Sequence, residues 1–184
     1  MKAAVILAGG SSSRLGEPKQ LVRIGGETLL DRTVRVAREA GCDPVVVVLG
    51  ASAARVEEAC ALEGAVVLEN ELWGEGMGSS LRMGIAAVRD LDGAVVMTCD
   101  MPAVTAGHLL GLMAAGGRMA SRYGGRNGVP GYFPAEDFEE LLRVTGDVGA
   151  RELLRGAAAL ELAAGEMDLD TEEDLERVRM VFGE

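Results

Sequence analysis

The chain of 184 residues has one histidine, two lysines and three cysteines, and no apolar run long enough to cross a bilayer. The sole histidine, His108, stands inside a helical pattern and near no other motif. It reads as a structural or surface residue, so the chemistry is not built on imidazole. Cys42, Cys60 and Cys99 are odd in number, scattered, and without metal-ligand spacing. They read as reduced structural thiols, which implies a cytoplasmic setting. The opening run Met1–Ala8 is too short for a signal peptide or an anchor, so no membrane association is expected. A formal net charge of −11 argues against a nucleic-acid partner, because phosphate backbones are bound by basic faces.

What is present suits one globular domain spanning 1–184. Hydrophobic residues make up 48% of the chain, and the length is sufficient for a genuine core. The charge is uneven: residues 1–40 sum to +3, which leaves −14 on the rest. A small anion would be drawn to the first segment and a long polyanion repelled by the remainder.

Apolar runs Ala3–Ala8, Val45–Leu49, Ala65–Leu68 and Ala94–Cys99 read as strands, the fuller ones buried on both faces. Helices are expected from a Thr28 cap to Gly41, over 53–62 and over 79–91. Such alternation predicts a three-layer α/β/α fold with a doubly wound, mostly parallel sheet. Six glycines between 116 and 131 break the next segment into short strands, predicting an inserted hairpin or an antiparallel strand. Helical segments near 135–144 and 149–155, an apolar piece at 157–163 and a final helix starting at Thr171 complete the pattern. Thr171 with Asp174 has the spacing of a capping box.

The first strand runs directly into LAGGSSSRLGEPK, residues 7–19. A glycine-rich strand-to-helix loop presents backbone N–H groups to an anion. Two common versions are excluded. Walker A fails because Gly16 precedes Glu17 and Pro18, and the dinucleotide pattern fails because three serines follow Gly9-Gly10. What remains is a pair of glycines, three hydroxyls, Arg14, Gly16 and Lys19, a set suited to holding and neutralising phosphate. An ordinary βα turn with solvated cations is the alternative.

LAGGSSSRLGEPK resembles the signature of the MobA-like nucleotidyltransferases. GMGSSLRMGI (76–85), TCDMP (98–102), RNGVPGYF (126–133), GDVGAR (146–151) and DLDTEEDL (168–175) resemble blocks of its molybdenum cofactor cytidylyltransferase branch. The resemblance implies the nucleotide-diphospho-sugar transferase type of sheet. It also implies transfer of a nucleoside monophosphate from an NTP to a phosphorylated pterin cofactor, with release of pyrophosphate. Leu7, Ala8, Gly9, Gly10, Ser11, Ser12, Arg14 and Lys19 would then bind the nucleotide, Arg14 and Lys19 offsetting charge on the α-phosphate and the leaving pyrophosphate. Gly78, Ser79, Ser80 and Leu81 would contact the base. Asp100, at the end of a central strand, and Asp170 would hold Mg²⁺. The alternatives are helix caps, for the helix near Thr105 and for the last helix respectively.

Arg126, Gly128, Asp147 and Arg151 fall in the blocks expected to hold the acceptor, though Asp147 equally suits a cap for the helix at 149–154. A molybdenum hydroxylase is the implied recipient of the product. Two signals differ on the base. Leu7-Ala8-Gly9-Gly10 has the guanylyl form, whereas the later blocks favour CTP. Transfer to a sugar or polyol phosphate, a nicotinamide-dependent reductase of the same fold, and a non-catalytic cofactor chaperone are the competing functions. The lack of G-x-G-x-x-G opposes the reductase, and retention of Lys19 and Asp100 opposes the chaperone.

Overall fold

Alternate residues of the first apolar run face opposite layers, and this one strand organises both halves of the core. In strand β1 (Lys2–Ala8), Ala4, Ile6 and Ala8 join one apolar cluster while Ala3, Val5 and Leu7 join another. The computed structural model describes residues 1–10, 16–167, 169 and 171–183.

A seven-stranded sheet has the order β5-β4-β1-β6-β8-β7-β9. Here β4 is Val45–Leu49, β5 Ala65–Glu69, β6 Gly93–Thr98, β7 Met119–Tyr123, β8 Arg126–Pro134 and β9 Ala158–Glu161. β5, β4, β1 and β6 pair in parallel. β8 runs antiparallel to both β6 and β7, and β9 returns parallel to β7. The glycine-rich segment is therefore a hairpin whose second arm is the antiparallel strand, as expected. A separate two-stranded ribbon, β2 (Arg23–Ile24) with β3 (Glu27–Thr28), follows the first loop.

Helix α1 (Leu29–Glu39) begins where the Thr28 hydroxyl accepts from the Asp31 backbone N–H, 3.1 Å away. Its face with Leu30, Val34 and Ala37 packs in the Ile6 cluster. Val56 of α2 (Ala53–Ala59) and Leu109 and Leu112 of α4 (Ala106–Ala114) join them. The opposite layer holds α3 (Met77–Ala87), α5 (Phe138–Leu141) and α6 (Arg151–Leu154), through Leu81, Ile85, Phe138, Leu141 and Leu154. These two layers sandwich the sheet, giving the three-layer arrangement.

Three boundaries differ from the sequence reading. α2 stops at Ala59, because the chain must turn through Leu62 in the left-handed region (φ 46°) to enter β5. α3 starts two residues early, at Met77, and ends at Ala87 rather than 91. The apolar piece near 160 forms the edge strand β9. The last helix, α7 (Glu172–Phe182), carries the expected capping box: Thr171 and Asp174 bond each other's backbone N–H groups. Val178 of α7 and Leu169 pack with Val22, Ile24 and Leu29, so the C-terminal segment covers the β2–β3 ribbon. Among the described residues, no helix is long and apolar enough to cross a membrane.

Candidate active site

In the order β5-β4-β1-β6 the chain winds outward from β1 to one side, then resumes on the other side at β6. Open α/β sheets bind ligands beyond the carboxyl ends at such a switch. Leu7 and Thr98 are register partners at those ends, so Gly9-Gly10 and Asp100 emerge side by side. A short helical turn, Lys19–Leu21, returns the chain to this edge, and the Gln20 amide donates to the Ala8 carbonyl at 2.5 Å to hold it there. Lys19 Nζ is thereby placed 3.1 Å from Asp100 Oδ2, with side chains only 18% and 23% exposed. Arg14, Ser11 and Ser12 lie outside the described residues.

Asp100 does not cap a helix. Thr105 caps α4 by accepting from the His108 N–H. The backbone after Asp100 is held by Arg32, whose guanidinium donates to the Pro102 carbonyl at 2.9 Å. Leu169, the middle residue of Asp168-Leu169-Asp170, donates its N–H to the Asp100 carbonyl at 3.2 Å. The cap of α7 is Thr171, so that role is filled by another residue; Asp168 and Asp170 themselves lie outside the described residues.

One cavity at this edge, of about 290 Å³, is lined by Leu7, Gly9, Gly10, Trp73, Gly76, Met77, Ser80 and Asp147, among others. Buried Asn70 organises its wall. The Asn70 amide donates to Ser79 Oγ at 2.8 Å and to Ser80 Oγ at 3.0 Å, while its carbonyl accepts from the Leu72 N–H. Ser79 is buried and also donates to the Gly76 carbonyl, so its hydroxyl serves the loop; Ser80 lines the cavity. Leu81 differs from expectation. Its side chain is fully buried in the Val5 cluster, because the face of α3 that follows Ser80 packs on the sheet. Ala8 is likewise buried, and its carbonyl is taken by Gln20.

A second cavity, of about 320 Å³, has a lining that includes Asp100, Arg126, Asn127, Asp147, Arg151 and Glu166. Leu7, Met77 and Asp147 line both cavities, which makes them one cleft. Asp147 does not cap α6, where Ala150 holds the cap position without a side-chain bond. It belongs to a loop that presses on the start of α3, with Gly78 N–H donating to the Gly146 carbonyl at 2.8 Å. Gly128 is a second departure. It is buried under Tyr123, where a Cβ would meet the phenol oxygen at 2.5 Å, and it is Tyr123 that faces the cavity.

Sequence reasoning missed Trp73, Gly50 and Gly76. Trp73 is 44% exposed and forms one wall of the cavity shared with Gly9 and Gly10. Gly50 lets β4 approach closely, since a Cβ there would meet the Gly9 carbonyl at 2.7 Å and the Trp73 Cβ at 2.8 Å. Gly76 has φ 104° and abuts Asp147 Oδ1. The available signal was the polar, glycine-punctuated stretch before α3, but nothing local says which distant backbone it meets.

His108 is structural, as expected. Ser121 donates its hydroxyl proton to the Pro130 carbonyl, so the 2.7 Å contact to His108 requires the imidazole Nε2–H to donate. The cysteines are buried and unpaired. Burial, then the neighbouring Asp100 carboxylate, pushes the Cys99 thiol far up, and burial takes Cys42 to about 11. Neither is poised as a nucleophile.

A Mg²⁺ ion takes oxygen ligands, keeps several waters and shares its shell with substrate phosphates. Asp100 offers an oxygen of that kind, its carboxylate lining the cleft.

The chain is similar to several known proteins. Nicotine blue oxidoreductase of Paenarthrobacter nicotinovorans is 33% identical over 97% of this chain and 93% of its own length. A probable molybdenum cofactor guanylyltransferase of Opitutus terrae is 39% identical over 56% of this chain and half of its own length. The crystal structure of Rv0371c from Mycobacterium tuberculosis H37Rv superposes with a TM-score of 0.83 at 34% identity, covering 97% of this chain and 98% of that one. A complex of the same protein with manganese gives 0.79 at 32%, covering 96% and 97%. Residues 4–164 match the MobA-like NTP transferase domain. With its glycine loop, lysine and strand-end aspartate gathered at one switch point, the chain belongs to the MobA-like NTP transferase family and is a nucleotidyltransferase related to the molybdenum cofactor guanylyltransferases.

Proposed function

We propose that this enzyme moves CMP from CTP to the terminal phosphate of molybdopterin or the molybdenum cofactor and releases pyrophosphate. The observation that carries the reading is the Lys19–Asp100 pair beside a cleft whose two ends differ in lining. One end is glycine-rich with an exposed indole and suits a nucleotide. The other has cations and an amide and suits a phosphorylated, flat acceptor.

Transfer of a nucleotidyl group needs positioning and charge stabilisation more than a protein nucleophile. Gly9, Gly10, Ser11 and Ser12 cradle the triphosphate with backbone N–H groups and hydroxyls. Lys19 and Arg14 offset the charge that develops on the α-phosphate and the departing pyrophosphate. Asp100 and Asp170 would hold Mg²⁺, which when bound would supply neutralisation of phosphate charge. Arg126, Arg151 and Asp147 orient the acceptor. A molybdenum hydroxylase is the proposed recipient of the product, in the cytoplasm.

A second reading, GTP as donor, is favoured by Gly9 in the first motif and by the Opitutus terrae relative. A pocket that pairs one base leaves buried groups unpaired with the other. Pyrophosphate release from CTP, GTP, ATP and UTP, each with and without molybdopterin and Mg²⁺, tests both readings. Release with CTP that requires acceptor and metal is expected, and release with GTP alone selects the second. A third reading follows the Paenarthrobacter nicotinovorans relative. Oxidation of NADH or NADPH with no release from any nucleotide would replace the transferase reading by a reductase.

A further inference from the structure

Gln20 lies one peptide from Lys19 and is only 3% exposed. The two ends of its amide fare differently. Nε2 donates to the Ala8 carbonyl, whereas Oε1 is buried with no hydrogen-bond partner among the described residues. The orientation is forced, because only the NH₂ end can face a carbonyl oxygen. No other buried side-chain nitrogen or oxygen among the described residues is left unpaired. A buried oxygen without a donor costs stability, and such groups are rare enough in folded proteins to need a reason.

The reason lies at the other end of the amide. β1 and β6 pair only as far as Leu7 and Thr98, so the Ala8 carbonyl stands beyond that ladder and the Gln20 side chain takes it. The turn Lys19–Leu21 is otherwise closed on itself. Its Leu21 N–H donates to the Pro18 carbonyl and the Val22 N–H to the Lys19 carbonyl. Among the described residues, the Gln20 amide makes the one hydrogen bond from this turn to β1. Ala8 is itself buried, so taking the amide away would leave the Ala8 oxygen bare in place of Oε1. The hydrogen-bond balance is even, and the contact yields little net stability. What it does supply is position. Lysine carries its charge on a flexible four-carbon stem, so where Nζ acts depends on where its backbone is anchored.

We propose that Gln20 is a positioning residue for nucleotidyl transfer: its amide anchors the Lys19 turn to the end of β1, so that Nζ stands beside Asp100 in the cleft. Gln20 lines neither of the two cavities described above and acts through its neighbour. The proposal rests on the reading in which Lys19 acts on the triphosphate.

Gln20→Met keeps the length of the side chain and removes the donor. The chain has only two lysines, and Lys2, at the opposite end of β1, serves as an internal reference. Both are acylated with a trace of acetic anhydride, and peptide mass spectrometry reads their labelling in the native protein and in the variant. The Lys19-to-Lys2 ratio is expected to rise severalfold in Gln20→Met. Its Tm should move by no more than about 4 °C, because one unpaired oxygen replaces another. In the pyrophosphate-release assay kcat should fall ~10-fold or more, since a displacement of about 1 Å can cost ~10²-fold. The NTP KM should stay within about twofold of native. In a Lys19→Ala background the same substitution should lower kcat no further, because its effect runs through the ammonium.

An unchanged labelling ratio, or an equal loss of kcat in both backgrounds, would overturn the proposal. A melt lowered well beyond that range, with both lysines labelled faster alike, would also overturn it and make Gln20 a structural residue only. Failure of the transferase reading looks different: the native protein then releases no pyrophosphate from any NTP, while the labelling ratio still rises in Gln20→Met.

Discussion

Lys19 and Asp100, 81 residues apart in the chain, meet at 3.1 Å at the carboxyl edge of the sheet. Each arrives there by a different route, one on a helical turn after the glycine loop and the other straight off β6. The pair joins the segment after Gly9-Gly10 to the cavity that Asp100 lines.

Removing either charge should disable the enzyme more than it unfolds it. Lys19→Ala or Asp100→Ala is expected to lower turnover by at least ~10²-fold, the scale of one lost transition-state contact. The double variant should fall little further, since the two groups act as a unit. Pyrophosphate release against a thermal melt separates the effects, and near-full activity in both single variants would remove the mechanism.

Trp73 is the only tryptophan and lines the cavity proposed to take the nucleotide, so its fluorescence reports that cavity alone. Saturating NTP is expected to quench it. Trp73→Phe keeps the stacking face, and Trp73→Ala should weaken nucleotide binding by about tenfold, within the range of base–aromatic stacking. A fluorescence signal indifferent to every NTP would place the base elsewhere.

Gly76→Ala and Gly78→Ala should each cost about 1–3 kcal/mol by overpacking. At Gly76 a Cβ would lie 2.5 Å from Asp147 Oδ1 with φ at 104°, and at Gly78 it would lie 2.9 Å from the Gly146 carbonyl. For a chain of this size that is about 2–4 °C of Tm per kcal/mol. Activity should fall with stability, because the displaced loop carries Asp147. Gly117→Ala, with no atom within 4 Å of its Cβ, is the control and should melt with the native protein.

His108 gives stability a pH dependence. Burial holds its pKa below the ordinary value, so on acidification the unfolded chain takes up the proton first. The stability of the neutral, buried form is complete above about pH 6.5 and is lost as pH falls through that value toward the folded pKa. In His108→Gln the fall in Tm between about pH 7 and about pH 5 should be shallower than in the native protein. Equal slopes would show that the imidazole titrates alike in both states.

The parallel strands were readable because burial on both faces leaves a continuous apolar signature, as in Val45–Leu49. The caps Thr28 and Thr171 were readable because capping is local, decided within three residues. Leu81 was misplaced for the complementary reason. A motif gives a segment's address, and only packing tells which side chain of a turn faces the sheet.

What the sequence determined by itself was the alternation of strands and helices, the glycine-rich exit from β1 at Gly9-Gly10, and the carboxylate at the end of β6. These depend on neighbours within a few residues, where hydrophobic period, capping and residue chemistry operate. The tertiary structure alone decided that Lys19 pairs with Asp100, that Trp73 closes against Gly50, and that four arginines from a hairpin and a helix share one groove. Those contacts join segments tens of residues apart. They follow from strand order and crossover, which bring distant chain together only after the whole sheet has formed.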